Sequence, residues 1–203
     1  NREMINQFKE ISDFVKLEIP ESVKLPIAII GAGGIVDGAH LPAYKKVGLD
    51  IVGITDVDQE RAKDVANRHG ISKVYPDLAT LLRESDAQVI DIAVPPAAQK
   101  DIFIEVAKSG RHILAQKPLA TNVADGEQMI KVAKAAGVIA VVNQQLRFEE
   151  GIAAAYKMVD LGWIGEVTSI SITVNLATPW EMFPWAKNMD KLEIMVHSIH
   201  YHD

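Results

Sequence analysis

The sequence predicts an α/β protein: a doubly wound parallel sheet, followed by the beginning of a second, smaller α/β unit. Two observations carry this. Short continuous apolar runs alternate with helix-periodic segments from Ile27 onward, the pattern of parallel strands covered on both faces. The first run, Ile27–Ile30, passes straight into Gly31-Ala32-Gly33-Gly34, a tight strand-to-helix turn, and a second strand ends in the acidic Asp56.

Each element has a local reason. Met4, Ile5, Phe8, Ile11 and Val15 fall at helical spacing, so residues 2–15 are expected to form a helix docked outside the domain, tied to the first strand by the Pro20–Pro26 segment. After strand Ile27–Ile30, Gly34–Val47 reads as a helix and Ile51–Thr55 as the next strand. Asp58 is an expected cap for the helix ending at His69, and Asp77 for a short helix ending at Glu84, with a short strand Lys73–Tyr75 between them. Strand Val89–Ala93, helix Ala98–Ser109 closed by Gly110, strand His112–Ala115, helix Val123–Ala136 and strand Val138–Val142 complete the alternation. A helix Glu149–Leu161 follows, then a turn at Gly162–Gly165. Val167–Val174 alternates Ser/Thr with Ile/Val and predicts a half-buried antiparallel strand. The expected organisation is an N-terminal helical extension (1–26), a dinucleotide-binding domain (27–143) and the start of a substrate or oligomerisation domain (144–203), unfinished within this sequence.

Composition narrows the function classes. The 203 residues are 48% hydrophobic and 24% charged with a net charge of −6, and basic residues never cluster beyond pairs such as Lys45-Lys46, which argues against nucleic acid or an anionic membrane as partner. There is no cysteine, so thiolate chemistry and disulfides are excluded. No apolar run approaches the ~20 residues of a membrane span and no signal-peptide pattern appears, so a cytoplasmic location is expected. The chain begins with Asn1 rather than Met and is expected to be trimmed or part of a longer sequence.

The glycine turn points to phosphate binding. Gly31 and Gly33 permit the turn, and the following helix N-terminus, over Gly34, Ile35 and Val36, presents backbone N–H groups and a positive dipole end to a pyrophosphate. Val36 stands where a third glycine would allow the closest helix–strand packing. Asp56 lies where an adenosine ribose would offer its hydroxyls, and its charge would repel a 2′-phosphate, so NAD is expected over NADP.

Several segments then fall in order: Gly31 to Pro42 with His40, Asp56, Ala93-Val94-Pro95, Gln116-Lys117-Pro118, Gln145-Leu146-Arg147-Phe148, Leu161-Gly162 with Gly165-Glu166-Val167, and His200 with Asp203. From about residue 25 to the last, this order resembles the glucose–fructose oxidoreductase / inositol dehydrogenase (Gfo/Idh/MocA) family. The resemblance implies a Rossmann domain joined to an open-sheet second domain, and NAD-dependent oxidation or reduction of a sugar, cyclitol or related polyol. It also implies self-association through the second domain.

Carried over residue by residue, the resemblance makes Lys117 the lysine of the family's Glu-Lys-Pro signature and His200 its active-site histidine, with His197 able to replace a relay Asp that is absent at Val196. Val94, Pro95, Gln99, Gln116, Lys117 and Arg147 join Gly31, Gly33, Gly34, Ile35, Val36 and Asp56 as expected cofactor contacts. A lysine there is chemically apt: hydride loss from a carbinol needs a group to take the hydroxyl proton, and a desolvated lysine can serve. Asp203 is expected to orient His200, and His40 to pack rather than react. Trp180 and Trp185 suit sugar stacking, and suit a core or oligomer-contact role at least as well. Although His197, His200, His202 and Asp203 cluster in sequence, His202 leaves the shared helical face and no distant ligand set is evident, so no metal is expected. The chain departs from the family pattern at Gln116 (for Glu), Pro96 (for Asn), Gln99 (for His) and Val196. Because Gln116, Gln99 and Val196 each remove an ionisable group, the alternative is a non-catalytic NAD(H)-binding sensor of the same fold.

Overall fold

Ile27–Ile30, Ile51–Thr55, Val89–Ile92, His112–Ala115 and Ala140–Val142 form five parallel strands, β1 to β5, ordered β2-β1-β3-β4-β5. The structure is a computed structural model that describes residues 2–16, 18–175, 177, 180–181, 184–189 and 197–203. Val196 and Phe183 lie outside the described residues. The chain starts in the middle of the sheet, winds outward through β2, then crosses back to build the other half. This reversal opens a crevice between the carboxyl ends of β1 and β3, where ligands bind in such sheets. The short strand expected at Lys73–Tyr75 is reduced to a single bridge of Val74 with Ile54, outside β2.

The helices are α1 (Arg2–Phe14), α2 (Leu41–Val47, entered through a π-helical turn Val36–His40), α3 (Gln59–His69), α4 (Leu78–Glu84), α5 (Pro96–Lys108), α6 (Val123–Ala136), α7 (Glu150–Asp160) and α8 (Ile199–His202). Their starts are chemically marked. The side chains of Asp58, Asp77 and Asn122 accept the backbone N–H of Arg61, Thr80 and Asp125, filling part of the unpaired first turn of α3, α4 and α6. Both faces of the sheet are covered. Ala28, Ile30, Ile90 and Ile92 pack with Phe103, Val106, Leu81 and Met129 on one side. On the other, Ile27, Ile29 and Ile54 pack with Val36, Leu41, Ala62 and Val65. Burying side chains of this kind contributes about 1.5–3 kcal/mol each, which is why the strand runs are apolar without alternation. Val36 is fully buried in the second cluster, and the widened π turn begins at this residue, where a third glycine would have let the helix sit closer.

Helix α1 buries none of its residues and docks on α7 and the turn that follows it, through an edge-to-face contact of Phe8 with Trp163, stacking of Phe14 on Tyr156, and a Lys157–Glu10 ion pair at 2.9 Å. One expectation is revised. Val167–Val174 is not a strand: its backbone joins no ladder among the described residues, and Ile170 and Ile172 are exposed. Alternation supplies a face, but a strand also needs a neighbour to take its N–H and C=O groups.

Candidate active site at the carboxyl edge of the sheet

The glycine turn sits directly on the β1/β3 crevice. Gly31 has φ +104°, and a Cβ there would lie 2.2 Å from the carbonyl oxygen of Ala93, so this position requires glycine on two counts. Gly31 N–H donates to Thr55 O at 2.8 Å and Ala93 N–H to Ile30 O at 2.8 Å, locking the turn to both neighbouring strands. The first helical bonds run from Val36 and Asp37 back to Gly33 O, so the amides of Gly33, Gly34 and Ile35 lie ahead of the first helical bond. A Cβ on Gly33 would meet no atom within 4 Å, so this glycine is a place where the backbone lies open to a ligand. An open glycine cradle at a helix N-terminus fits a pyrophosphate.

Asp56, at the end of β2, has its side chain only 6% exposed. Oδ2 accepts Ala32 N–H at 2.6 Å, while Oδ1 accepts Asp58 N–H at 2.7 Å and Arg61 at 2.6 Å. The carboxylate therefore braces the glycine turn, and Arg61 stands beside it, a neighbour that sequence reasoning did not anticipate. Val94 and Pro95 follow β3 across the crevice and lead into α5.

Lys117 follows β4 and begins a cis peptide bond to Pro118. Burial pushes its ammonium below the usual lysine range. The surrounding loop is held from beneath. Gln99, 1% exposed, donates to the carbonyls of Gln116, Pro118 and Leu119 at 2.7, 3.0 and 2.9 Å and accepts Gln116 N–H at 3.0 Å. Its amide is thus spent on the loop, a different place from the cofactor contact the sequence suggested. Gln116 points back into the fold: its Oε1 accepts Lys117 N–H at 2.9 Å and its Nε2 meets His40 Nε2 at 3.2 Å. His40 in turn contacts Asp91, and Tyr44 does likewise. Neither Asp91 nor Tyr44 was anticipated. Asp91, however, interrupts an otherwise apolar buried strand, and a lone carboxylate in such a run is a readable signal.

The helical turn over residues 197–202 brings His197 and His200 to the same site. Burial lowers the affinity of His200 for a proton, and the charges of Lys117 and His197 lower it further, while Asp203 opposes them. Asp203 does not orient His200 through a hydrogen bond as expected. Its two oxygens take Arg147 Nε at 2.7 Å and an Arg147 terminal nitrogen, and His200 Nδ1 is buried without a hydrogen-bond partner among the described residues. The reason is geometric: a guanidinium fork matches both carboxylate oxygens at once, and a single ring N–H does not. Arg147, expected at the cofactor, is engaged in this pair, and Asp203 is held below the usual carboxylate range by it. Among the described residues no group of three or more His, Asp or Glu side chains could hold a metal ion, and no helix is long and apolar enough to cross a membrane.

A parallel sheet with this winding and a glycine cradle at its switch point defines a Rossmann dinucleotide-binding domain. The family described as oxidoreductase family, NAD-binding Rossmann fold (Gfo/Idh/MocA) matches residues 25–144, and the chain belongs to it. D-apiose dehydrogenase of Paraburkholderia graminis is 30% identical over 139 residues, covering 68% of this chain and 37% of that protein. Myo-inositol 2-dehydrogenase of Thermotoga maritima is 28% identical over 148 residues, covering 72% and 44%. Among solved structures, the WlbA dehydrogenase of Bordetella pertussis, in complex with NADH and UDP-GlcNAcA, superposes with a TM-score of 0.77 at 27% identity, covering 88% of this chain and 56% of that one. The matched stretch thus spans about two-fifths of the curated relatives' length.

Proposed function

We propose that this chain supplies the cofactor site and the proton-transfer groups of an NAD-dependent dehydrogenase acting on a carbinol carbon of a sugar, cyclitol or related polyol. The observation that carries the reading is Lys117: a lysine whose charge is disfavoured by burial, at the carboxyl edge of the sheet, electrostatically coupled to His200. When bound, the nicotinamide accepts or returns the hydride.

The chain's own groups would do the rest. The amides of Gly33, Gly34 and Ile35, on the turn from Gly31 to Val36, hold the pyrophosphate. Asp56 orders that turn and meets the adenosine ribose, favouring NAD over NADP, and Val94 and Pro95 bound the crevice. Lys117 takes the hydroxyl proton as hydride leaves, its lowered proton affinity bringing the base form closer to neutral pH. His200, with His197 beside it, anchors the substrate oxygen or passes the proton onward. Gln99 and Gln116 act through the loop they hold, and Arg147 through Asp203.

The relatives reported above are a D-apiose dehydrogenase, a myo-inositol 2-dehydrogenase and a dehydrogenase in complex with NADH and UDP-GlcNAcA, which supports the polyol reading and lends nothing to a sensor without chemistry. A cytoplasmic location and self-association through residues 144–203 belong to the same proposal; the apolar side chains exposed there, Ile164, Ile170 and Ile172, support the second. The test is NADH fluorescence titration followed by a sugar and polyol panel read at the nicotinamide absorbance. Lys117→Ala is expected to abolish turnover while leaving NADH affinity nearly intact; loss of NADH binding instead would make the lysine's role structural.

A further inference from the structure

A buried polar line runs under Lys117, and of its side chains only Gln116 enters the chemistry above. Asp91, 1% exposed on β3, receives two contacts at its Oδ2: His40 Nδ1 at 2.7 Å and Tyr44 O–H at 2.8 Å. On the far side of the ring, His40 Nε2 meets Gln116 Nε2 at 3.2 Å and Asn143 Nδ2 at 3.4 Å. Gln116 Oε1 accepts Lys117 N–H at 2.9 Å.

The direction of every bond in this line follows from one end. A backbone N–H can only meet an oxygen, so the amide of Gln116 is oriented with its carbonyl on Lys117 and its NH2 on His40. An NH2 group can only donate, so His40 Nε2 must carry the lone pair and Nδ1 the proton. Nδ1–H then donates to Asp91, where the Tyr44 hydroxyl also donates. Burial and the Asp91 charge hold the Tyr44 phenol protonated, which suits that role. All donors thus point down the line, from Lys117 through Gln116 and His40, and end on one carboxylate. An imidazolium at His40 would set N–H against two NH2 groups and force Gln116 to turn over, taking its carbonyl away from the Lys117 amide.

We propose that Asp91 and His40 are positioning residues for Lys117: Asp91 holds His40 as the neutral Nδ1–H tautomer, and His40 thereby orients the Gln116 amide that pins the Lys117 backbone. This deepens, and rests on, the reading of Lys117 as the proton-transfer group. It also gives Gln116 a reason to be Gln. A carboxylate there could pair with His40 only if Nε2 were protonated, placing an imidazolium between two carboxylates.

The test uses the full chain labelled with ¹⁵N, and long-range ¹H–¹⁵N correlations that report which ring nitrogen of His40 is protonated. The groups facing that ring are Asp91, Tyr44, Gln116 and Asn143. Wild type is expected to show Nδ1–H alone at neutral pH, and Gln116→Glu to protonate both nitrogens. The double variant Gln116→Glu/Asp91→Asn reverses the line. Its new amide on β3 donates to Nδ1, its new carboxylate beside Lys117 accepts from Nε2, and it is expected to show Nε2–H alone. With a substrate identified, kcat of Gln116→Glu falls by about tenfold to 10²-fold, the range a displaced catalytic group produces. A wild-type Nε2–H tautomer, or a His40 signature unmoved by Gln116→Glu, overturns the proposal. An altered tautomer with kcat unchanged also overturns it, by separating the line from Lys117. If wild type turns over no polyol, the functional reading fails while the tautomer series still decides the network.

Discussion

Gly31 and Gly33 stand two residues apart in one turn, and the structure assigns them opposite kinds of necessity. Alanine at Gly31 would hold φ near +104° and set a Cβ 2.2 Å from Ala93 O and 2.9 Å from Ala93 C, both backbone atoms of the neighbouring crossover. The backbone strain is worth about 1–3 kcal/mol, and the overpacking costs about 1–3 kcal/mol more, so a loss of about 2–6 kcal/mol is expected. For a domain of this size about 1 kcal/mol moves Tm by about 2–4 °C, which places Gly31→Ala roughly 4–24 °C below wild type. Alanine at Gly33 meets nothing within 4 Å. Its Tm is expected within roughly 2–4 °C of wild type, but its methyl occupies the open side of the cradle and weakens NADH binding by at least about tenfold, or about 1.4 kcal/mol. The assay is differential scanning fluorimetry with NADH fluorescence titration on both variants. A Gly33→Ala protein that folds and binds NADH like wild type would refute the cradle, and a Gly31→Ala protein with an unchanged Tm would refute the clash.

Other consequences follow from the same edge of the sheet. Asp56→Asn removes the charge that holds Arg61 and would face a 2′-phosphate; the preference for NADH over NADPH is expected to narrow by about tenfold in parallel titrations, and an unchanged ratio would remove Asp56 from cofactor choice. Burial lowers the proton affinities of Lys117 and His200 in the folded chain, so the unfolded chain binds more protons and stability rises with pH. The windows end at the ordinary values, 10.5 for Lys117 and 6.5 for His200, and lie below them. Lys117→Met is expected to flatten the upper window in Tm-against-pH scans, and His200→Gln the lower one. Arg147→Ala strips Asp203 of the cation that neutralises it, so NMR titration should find the His200 pKa raised above its wild-type position.

The parts of the fold legible in the sequence are those fixed by backbone demands and local period. Gly31 needs its positive φ wherever the rest of the chain lies; Asp58 and Asp77 cap helices three residues away; and the apolar runs of β1 and β3 announce a sheet buried on both faces. Lys117 and His200 stood out through the resemblance, because a residue type within an ordered set of motifs is a one-dimensional signal; their chemical role is the proposal above. The sequence by itself thus determined the strand–helix alternation and the tight glycine turn between β1 and α2.

Only the tertiary structure decided which partners those residues take. The ties from His40 to Asp91, from Gln116 to His40 and from Arg147 to Asp203 join residues 51, 76 and 56 positions apart. No local pattern specifies such pairs; they form because buried or closely placed polar groups must find complementary donors and acceptors when the sheet closes. Tertiary structure likewise seated α1 on α7 and left Val167–Val174 without a ladder among the described residues, since helical and alternating periods say which face is apolar but not what it meets.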